Sequence, residues 1–315
     1  MGKYCFGVDV GGTTVKIGLF TVEGDILEKW QIPTRTEDGG KNILPDISQS
    51  VFDKMAEKGI GKDEVIGVGL CVPGPCDDEG TVYKCVNLGW GVFNVKNALS
   101  ELMGMPVEVG NDANVAALGE MWKGSGSKNM VMVTLGTGIG GGIIINGKMI
   151  NGATGAGGEI GHIHIDDDEV EECGCGNKGC LEQYGSATGI ARLANRRLAE
   201  DDAASVLRGK DNLDAKMVWD AVKEGDAVAI EIADRFGKIL GKGLAMIAAV
   251  VNPEVFVIGG GVAQAGPILF DYISKYFKQY AFHGCRDTKF AVAGLKNDAG
   301  ICGSAKLIID GVANS

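Results

Sequence analysis

The chain has 315 residues, long for a single hydrophobic core and typical of two domains. Its 45% hydrophobic and 23% charged residues are an ordinary globular mix, and 30 Lys plus Arg against 41 Asp plus Glu leave a net charge of -11. An acidic chain without a basic run speaks against nucleic acid as a partner, and no apolar run approaches the roughly 18 residues of a membrane helix. Met1-Gly2-Lys3 leads straight into a glycine-broken strand, which is unlike a signal peptide or a lipidated tail and predicts a cytoplasmic protein.

In chain order, Tyr4–Val10 reads as a strand, followed by the turn Gly11-Gly12-Thr13-Thr14 and a second strand, Val15–Phe20. The Glu23-Gly24-Asp25 turn leads to a third strand, Ile26–Ile32, so the chain opens on a three-strand meander. A helix is predicted over Asn42–Lys58, a buried strand over Val65–Val72, a short strand over Pro106–Gly110 and a helix over Ala113–Trp122.

The opening pattern then returns. Met130–Leu135 reads as a strand, Gly136 to Gly142 as a turn, Ile143–Ile145 as a strand, and Asn146-Gly147 as a hairpin before Lys148–Ile150. The polar stretch Glu200–Asp214 reads as a mobile excursion. Apolar residues from Ala229 to Val251 mark one face of a long helix, which ends at Asn252-Pro253 ahead of the buried strand Val255–Ile258. A duplicated meander followed by helices and strands predicts two similar α/β domains facing each other across a cleft. The expected division is a smaller domain of residues 1–111 plus about 300–315, and a larger one of 112–299 carrying a metal site.

The 51 glycines are well above the average share of about 7% and sit in clusters. Gly136-x-Gly138-x-x-Gly141 and Gly174-x-Gly176-x-x-Gly179 match the dinucleotide fingerprint in letters but not in context. A strand and hairpin follow the first, and the second lies inside a cysteine cluster, whereas the fingerprint must open a helix. No G-x-x-x-x-G-K-[ST] run occurs, which rules out a P-loop. Turns between antiparallel strands can instead offer backbone N–H groups to phosphate. Asp9 before the first turn supplies a carboxylate suited to Mg²⁺, Thr13 and Thr14 supply hydroxyls, and Lys16 supplies a cation. Those are the parts that phosphoryl transfer requires.

Asn111-Asp112-Ala113-Asn114 lies between a strand end and a helix start. Asp is a favoured N-cap there, yet the same position is where α/β folds place ligands and where a carboxylate can take a hydroxyl proton. Glu159 and His162 fall in a second glycine-rich segment. Of nine cysteines, Cys5, Cys71, Cys76, Cys85, Cys285 and Cys302 are scattered and read as core filler. His162, Cys173, Cys175 and Cys180 form a Cys₃His set with the composition of a closed structural zinc site. His164 is a rival fourth ligand on spacing.

Asp9-Val-Gly-Gly-Thr-Thr-x-Lys16, Leu135-Gly-Thr-Gly-Ile-Gly140 and Val257-Ile-Gly-Gly-Gly-Val262 resemble the two phosphate motifs and the adenosine motif of the sugar kinase/actin/Hsp70 superfamily. With Asn111-Asp112, Gly158-Glu159-x-Gly161-His162 and Cys173-Gly-Cys-Gly-x-x-Gly-Cys-Leu-Glu182, the chain resembles the repressor–ORF–kinase (ROK) family from residue 6 to about residue 310. The resemblance implies two actin-like, ribonuclease-H-like ATPase domains and ATP-dependent phosphorylation of a hexose at the 6-hydroxyl, glucose first among the candidates. N-acetylmannosamine, fructose and allose are rival sugars, polyphosphate is a rival donor, and a sugar-sensing regulator is the non-enzyme alternative. The resemblance makes Asp112 the base, and Asn87, Asn111, Glu159, His162 and Glu182 sugar contacts. It assigns Asp9, Gly11, Gly12, Thr13, Thr14, Lys16, Thr134, Gly136, Thr137 and Gly138 to the phosphates and Gly259, Gly260 and Gly261 to the adenosine. ATP, Mg²⁺ and a structural Zn²⁺ are the implied cofactors, and a homodimer or homotetramer the implied assembly. The phosphate turn already at Gly11 leaves no place before it for the helix-turn-helix that repressors of the family carry, which favours the enzyme.

Overall fold

The computed structural model describes residues 2–124 and 127–313. Met1 and Ser315, the outer bounds of the predicted smaller domain, lie outside the described residues. The chain opens with β1 (Tyr4–Val10), β2 (Thr14–Thr21) and β3 (Ile26–Pro33), paired antiparallel as the meander requires. A tight turn, α1 (Glu37–Gly40), leads to α2 (Ile43–Lys58), and β4 (Val65–Val72) then runs parallel to β1. The ribbon of β5 (Thr81–Val82) and β6 (Phe93–Asn94) precedes α3 (Val95–Met103), β7 (Val107–Asn111) and α4 (Asp112–Lys123). Next come β8 (Met130–Leu135), β9 (Ile139–Ile145) and β10 (Lys148–Met149). The remainder is α5 (Glu182–Gly185), α6 (Ala187–Glu200), α7 (Ala215–Lys223), α8 (Ala227–Val251), β11 (Val255–Gly259), α9 (Ile268–Tyr280), β12 (Lys289–Val292) and α10 (Ala299–Ala313).

The duplication read from the sequence is present in the sheets. Their strand orders are β3-β2-β1-β4-β7 and β10-β9-β8-β11-β12, each a meander extended by two parallel strands. Asn146 and Gly147 both have positive φ (53° and 76°), the geometry of the two-residue hairpin their sequence calls for.

The chain divides into two compact units, one of residues 1–128, 142–158 and 294–315 and the other of residues 129–141 and 159–293. The sequence-based division and these units differ over 112–128, 142–158 and 294–299. The reason is close backbone packing. A side chain at Gly303 would collide with the Val115 carbonyl, so α10 lies flush on α4, and one at Gly69 would collide with the Ser304 carbonyl, so α10 also lies flush on β4. The first unit's core is continuous, with Phe6, Ile17, Leu70 and Leu99 among its fully buried side chains.

Two further differences concern local structure. The predicted turn of Gly136 to Gly142 is shorter, because β9 starts at Ile139 and runs through the glycines. Gly142 lies in that strand, and the position selects glycine because a side chain there would meet Ala117 Cβ at 2.5 Å and the Ala113 carbonyl at 2.7 Å. The predicted excursion at Glu200–Asp214 is held down: Arg208 donates to the Ala203, Leu198 and Asp201 carbonyls, and Asp226 accepts from Ser205 and the Val206 N–H. Among the described residues, no helix is long and apolar enough to cross a membrane.

Candidate active site and metal centre

In the first unit, the register of three parallel strands gathers the predicted residues at one sheet edge. Asp9 on β1 pairs with Cys71 on β4, and Val72 on β4 pairs with Asn111 on β7. The carboxyl ends of adjacent strands, about 4.8 Å apart, therefore carry Asp9, the Pro73-Gly74 turn and Asn111-Asp112.

The turn from Gly11 to Thr14 is closed by the Gly11 N–H on the Thr14 carbonyl (3.0 Å), and Thr34 braces it with its hydroxyl on the Gly11 carbonyl (2.7 Å). Gly12 and Thr13 are exposed at its tip. Lys16 Nζ lies 3.4 Å from Asp9 Oδ2. On the other side, the Cys71 thiol donates to Asp9 Oδ1 at 3.5 Å. Burial and the neighbouring Asp9 charge push that thiol well above its ordinary pKa, so it stays a neutral donor. Asn87, predicted for the sugar, sits beside this turn: a side chain at Gly12 would be 3.6 Å from Asn87 Cβ.

At α4 the two polar neighbours separate their roles. Asn111 is the N-cap, its Oδ1 accepting from the Ala113 N–H (3.0 Å) and the Asn114 N–H (3.1 Å), while its Nδ2 donates to the Gly74 carbonyl (3.1 Å). Asp112 is the first helical residue and half-buried, with its Oδ1 2.8 Å from the Ala113 nitrogen. The cap predicted as the rival role of Asp112 thus belongs to Asn111, whose amide is occupied in holding the helix start. Asn114, which motif reasoning quoted but gave no role, donates to the Gly157 carbonyl at 3.0 Å and pins the loop before Glu159 to α4. Glu120 was missed altogether. It is fully buried on α4 and accepts from the Gly294 N–H (3.0 Å) and the Leu295 N–H (2.7 Å), anchoring the chain ahead of α10.

In the second unit, Thr134 at the end of β8 pairs with Gly259 at the end of β11, which sets the second and third glycine motifs side by side. Gly260 has φ +83°, and a side chain there would collide with the Leu135 backbone, so both demands select glycine. A single 3-10 turn, Gly261–Ala265, follows, and α9 begins only at Ile268, so the third motif opens a short turn. In the second motif the Gly136 N–H donates to the Gly138 carbonyl (3.0 Å) and exposed Thr137 is at the tip.

The ligand atoms of His162, Cys173, Cys175 and Cys180 all lie within 4.8 Å of one another. Cys175 and Cys180 sulfurs are 3.6 Å apart, and Cys173 Sγ is 3.7 Å from His162 Nδ1. A tetrahedron of about 2.3 Å zinc–sulfur bonds has edges of about 3.8 Å, so this donor set fits Zn²⁺. His164, the rival ligand, is turned away, with Nδ1 on the Lys178 carbonyl (2.9 Å) and Nε2 on Asp167 (2.8 Å). His162 Nδ1 faces the thiols while its Nε2 is 3.9 Å from Glu159. Glu182 Oε1 lies 2.9 Å from Cys173 Sγ and 3.7 Å from His162 Nδ1. Glu159, His162 and Glu182 are therefore one cluster of acceptors beside the cysteine cage.

Behind the cage, buried Glu169 accepts from Arg192, from Arg196 (2.9 and 3.1 Å) and from the Tyr184 hydroxyl (2.6 Å). Burial raises its pKa, but the bonds from Arg196, Tyr184 and the Glu171 N–H and the Arg192 charge outweigh that and hold the carboxyl well below the usual range.

Residues 5–311 match the ROK family. The chain belongs to the ROK family. A glucokinase of Halalkalibacterium halodurans is 43% identical over 97% of this chain and 95% of its own length. A glucokinase of Thermotoga maritima is 35% identical over 96% of both chains. Among solved structures, a ROK family glucokinase from Streptomyces griseus, in complex with glucose and AMPPNP, is 34% identical with a TM-score of 0.72, covering 96% of this chain and 98% of that one. The mixed α/β architecture is that of ROK sugar kinases, with the actin-like ATPase fold.

Proposed function

We propose that this ROK protein is a glucokinase, transferring the γ-phosphoryl group of ATP to the 6-hydroxyl of glucose with Asp112 as general base. The observation that carries the reading is that Asp9 with its glycine turn and Asp112 lie at the carboxyl ends of β1 and β7, on either side of β4 in one sheet, because phosphoryl transfer needs the base and the phosphate cradle on one rigid scaffold. The similarity to glucokinases across nearly the whole chain supports glucose and ATP as the substrates.

In this reading Asp112 accepts the 6-hydroxyl proton as the oxygen attacks Pγ. The new O–P bond forms as the bond from Pγ to the bridging oxygen of ADP breaks. The turns at Gly11–Thr14 and Gly136–Gly138 take phosphate oxygens through backbone N–H groups and threonine hydroxyls, with Gly259, Gly260 and Gly261 beside the adenosine. Lys16 neutralises phosphate charge, and Asp9 is the carboxylate that would hold the Mg²⁺ neutralising the rest. Asn87, Asn111, Glu159, His162 and Glu182 orient the sugar hydroxyls. His162, Cys173, Cys175 and Cys180 would hold Zn²⁺, whose chemistry in a closed four-ligand site is structural, clamping the loop and fixing the His162 ring. By family resemblance we extend the reading to two cooperating domains and to a cytoplasmic homodimer or homotetramer.

The test is ADP release over a panel of hexoses and N-acetylhexosamines. Glucose should give the highest kcat/KM with wild type, and Asp112→Asn should lower kcat by about 10²- to 10⁴-fold with glucose binding retained. Equal turnover by the variant, or no ADP release with any sugar, would show the reading to be wrong.

A further inference from the structure

Glu182 makes contacts in two directions. Its Oε1 lies against the cage, 2.9 Å from Cys173 Sγ and 3.7 Å from His162 Nδ1. Its Oε2 accepts the Ile139 N–H at 3.2 Å, at the point where the second glycine turn enters β9. The turn is further tied to the same segment by the Ala187 N–H on the Gly136 carbonyl (2.8 Å). At Gly161, beside His162, a side chain would collide with the Ile139 carbonyl. A side chain at Gly138 would collide with Glu182 Oε2 itself, whereas one at Gly136 would meet nothing within 4 Å. Neither glycine has positive φ, so alanine at either position differs only in what its methyl touches.

From this arrangement we propose that Glu182 is a positioning residue that ties the second glycine turn to the His/Cys cage, so that the cage and the turn share one strut. The inference builds on the proposed function, which makes the turn a phosphate cradle and Glu182 a sugar contact. Its consequence is cross-talk: a perturbation at the turn is felt by the sugar, and loosening the cage is felt by the turn. With zinc bound, Cys173 is a thiolate and has no proton for Glu182, so the tie to the cage then runs through the two-residue link from Cys180, while the Ile139 N–H holds the carboxylate at the turn.

The first arm of the test needs no substrate. Hydrogen exchange of the 136–141 segment should speed up by about tenfold in Glu182→Ala and in chelator-stripped wild type. Glu182→Gln, which keeps a carbonyl oxygen for the Ile139 N–H, should retain most of the protection. Thermal melting checks that each protein is folded. The second arm is calorimetric glucose binding without nucleotide. Gly138→Ala should weaken it by about tenfold, with folding checked by the same melts. Unchanged exchange in Glu182→Ala, or wild-type glucose affinity in Gly138→Ala, overturns the strut. If exchange responds as expected but wild type itself binds no glucose, the strut stands and the proposed function fails.

Discussion

Asn111 caps α4 and Asp112 follows it as the first helical residue, so the backbone N–H groups that an acidic N-cap would bind are served by the amide instead. That division gives the cap to the Asn111 amide and places the Asp112 carboxylate, the base of the proposed reaction, on the first helical residue. The two side chains should therefore fail differently when changed. Asn111→Ala removes the cap and the bond to Gly74, and should lower stability by about 1–2 kcal/mol in denaturant melts. Asn111→Asp, which can still cap, should recover most of that loss. A drop as small as that of a neutral surface substitution would contradict the capping role.

Glu169 shows at the level of elements how one buried carboxylate fastens a loop to a helix. Arg192 and Arg196 on α6 and Tyr184 on α5 all converge on it. Its folded-state pKa is depressed, so the unfolded chain binds the proton first as the pH falls. Its stabilisation is therefore complete above the ordinary carboxylate range, near pH 4.5, and is lost progressively below it. Glu169→Gln should cost about 3 kcal/mol at pH 7, because two guanidinium groups lose their buried carboxylate partner and keep only the more exposed Glu171. The gap to wild type should narrow between pH 5 and pH 3 in thermal melts. A gap that stays constant with pH would contradict the sign.

Elements governed by local periodicity were legible in the sequence. The opening meander, the Asn146-Gly147 hairpin and α8 each follow from residues within a few positions of one another. The Cys₃His spacing likewise predicts a cage, but choosing His162 over His164 needed the loop geometry that turns His164 onto Asp167. Glu120 and Glu169 escaped notice because each is buried by partners far away in sequence, and nothing within its own element signals a buried charge.

On the scale of the whole molecule, the two sheets repeat one strand order, and a glycine turn joins the first two meander strands of each. The compact units are discontinuous in sequence because α10 returns from the end of the chain to pack on α4, β1 and β4. The base and the first glycine turn lie in one unit, and the acceptor cluster, the second turn and the third glycine motif lie in the other. The claim on which this account turns is the atom that receives the phosphate. Incubation with ATP, Mg²⁺ and glucose, followed by ³¹P–¹H correlation spectroscopy of the product, identifies it directly. The account predicts a phosphomonoester coupled to the two H6 protons of glucose. Phosphorus coupled to the anomeric proton, or inorganic phosphate as the sole product beside ADP, would contradict it.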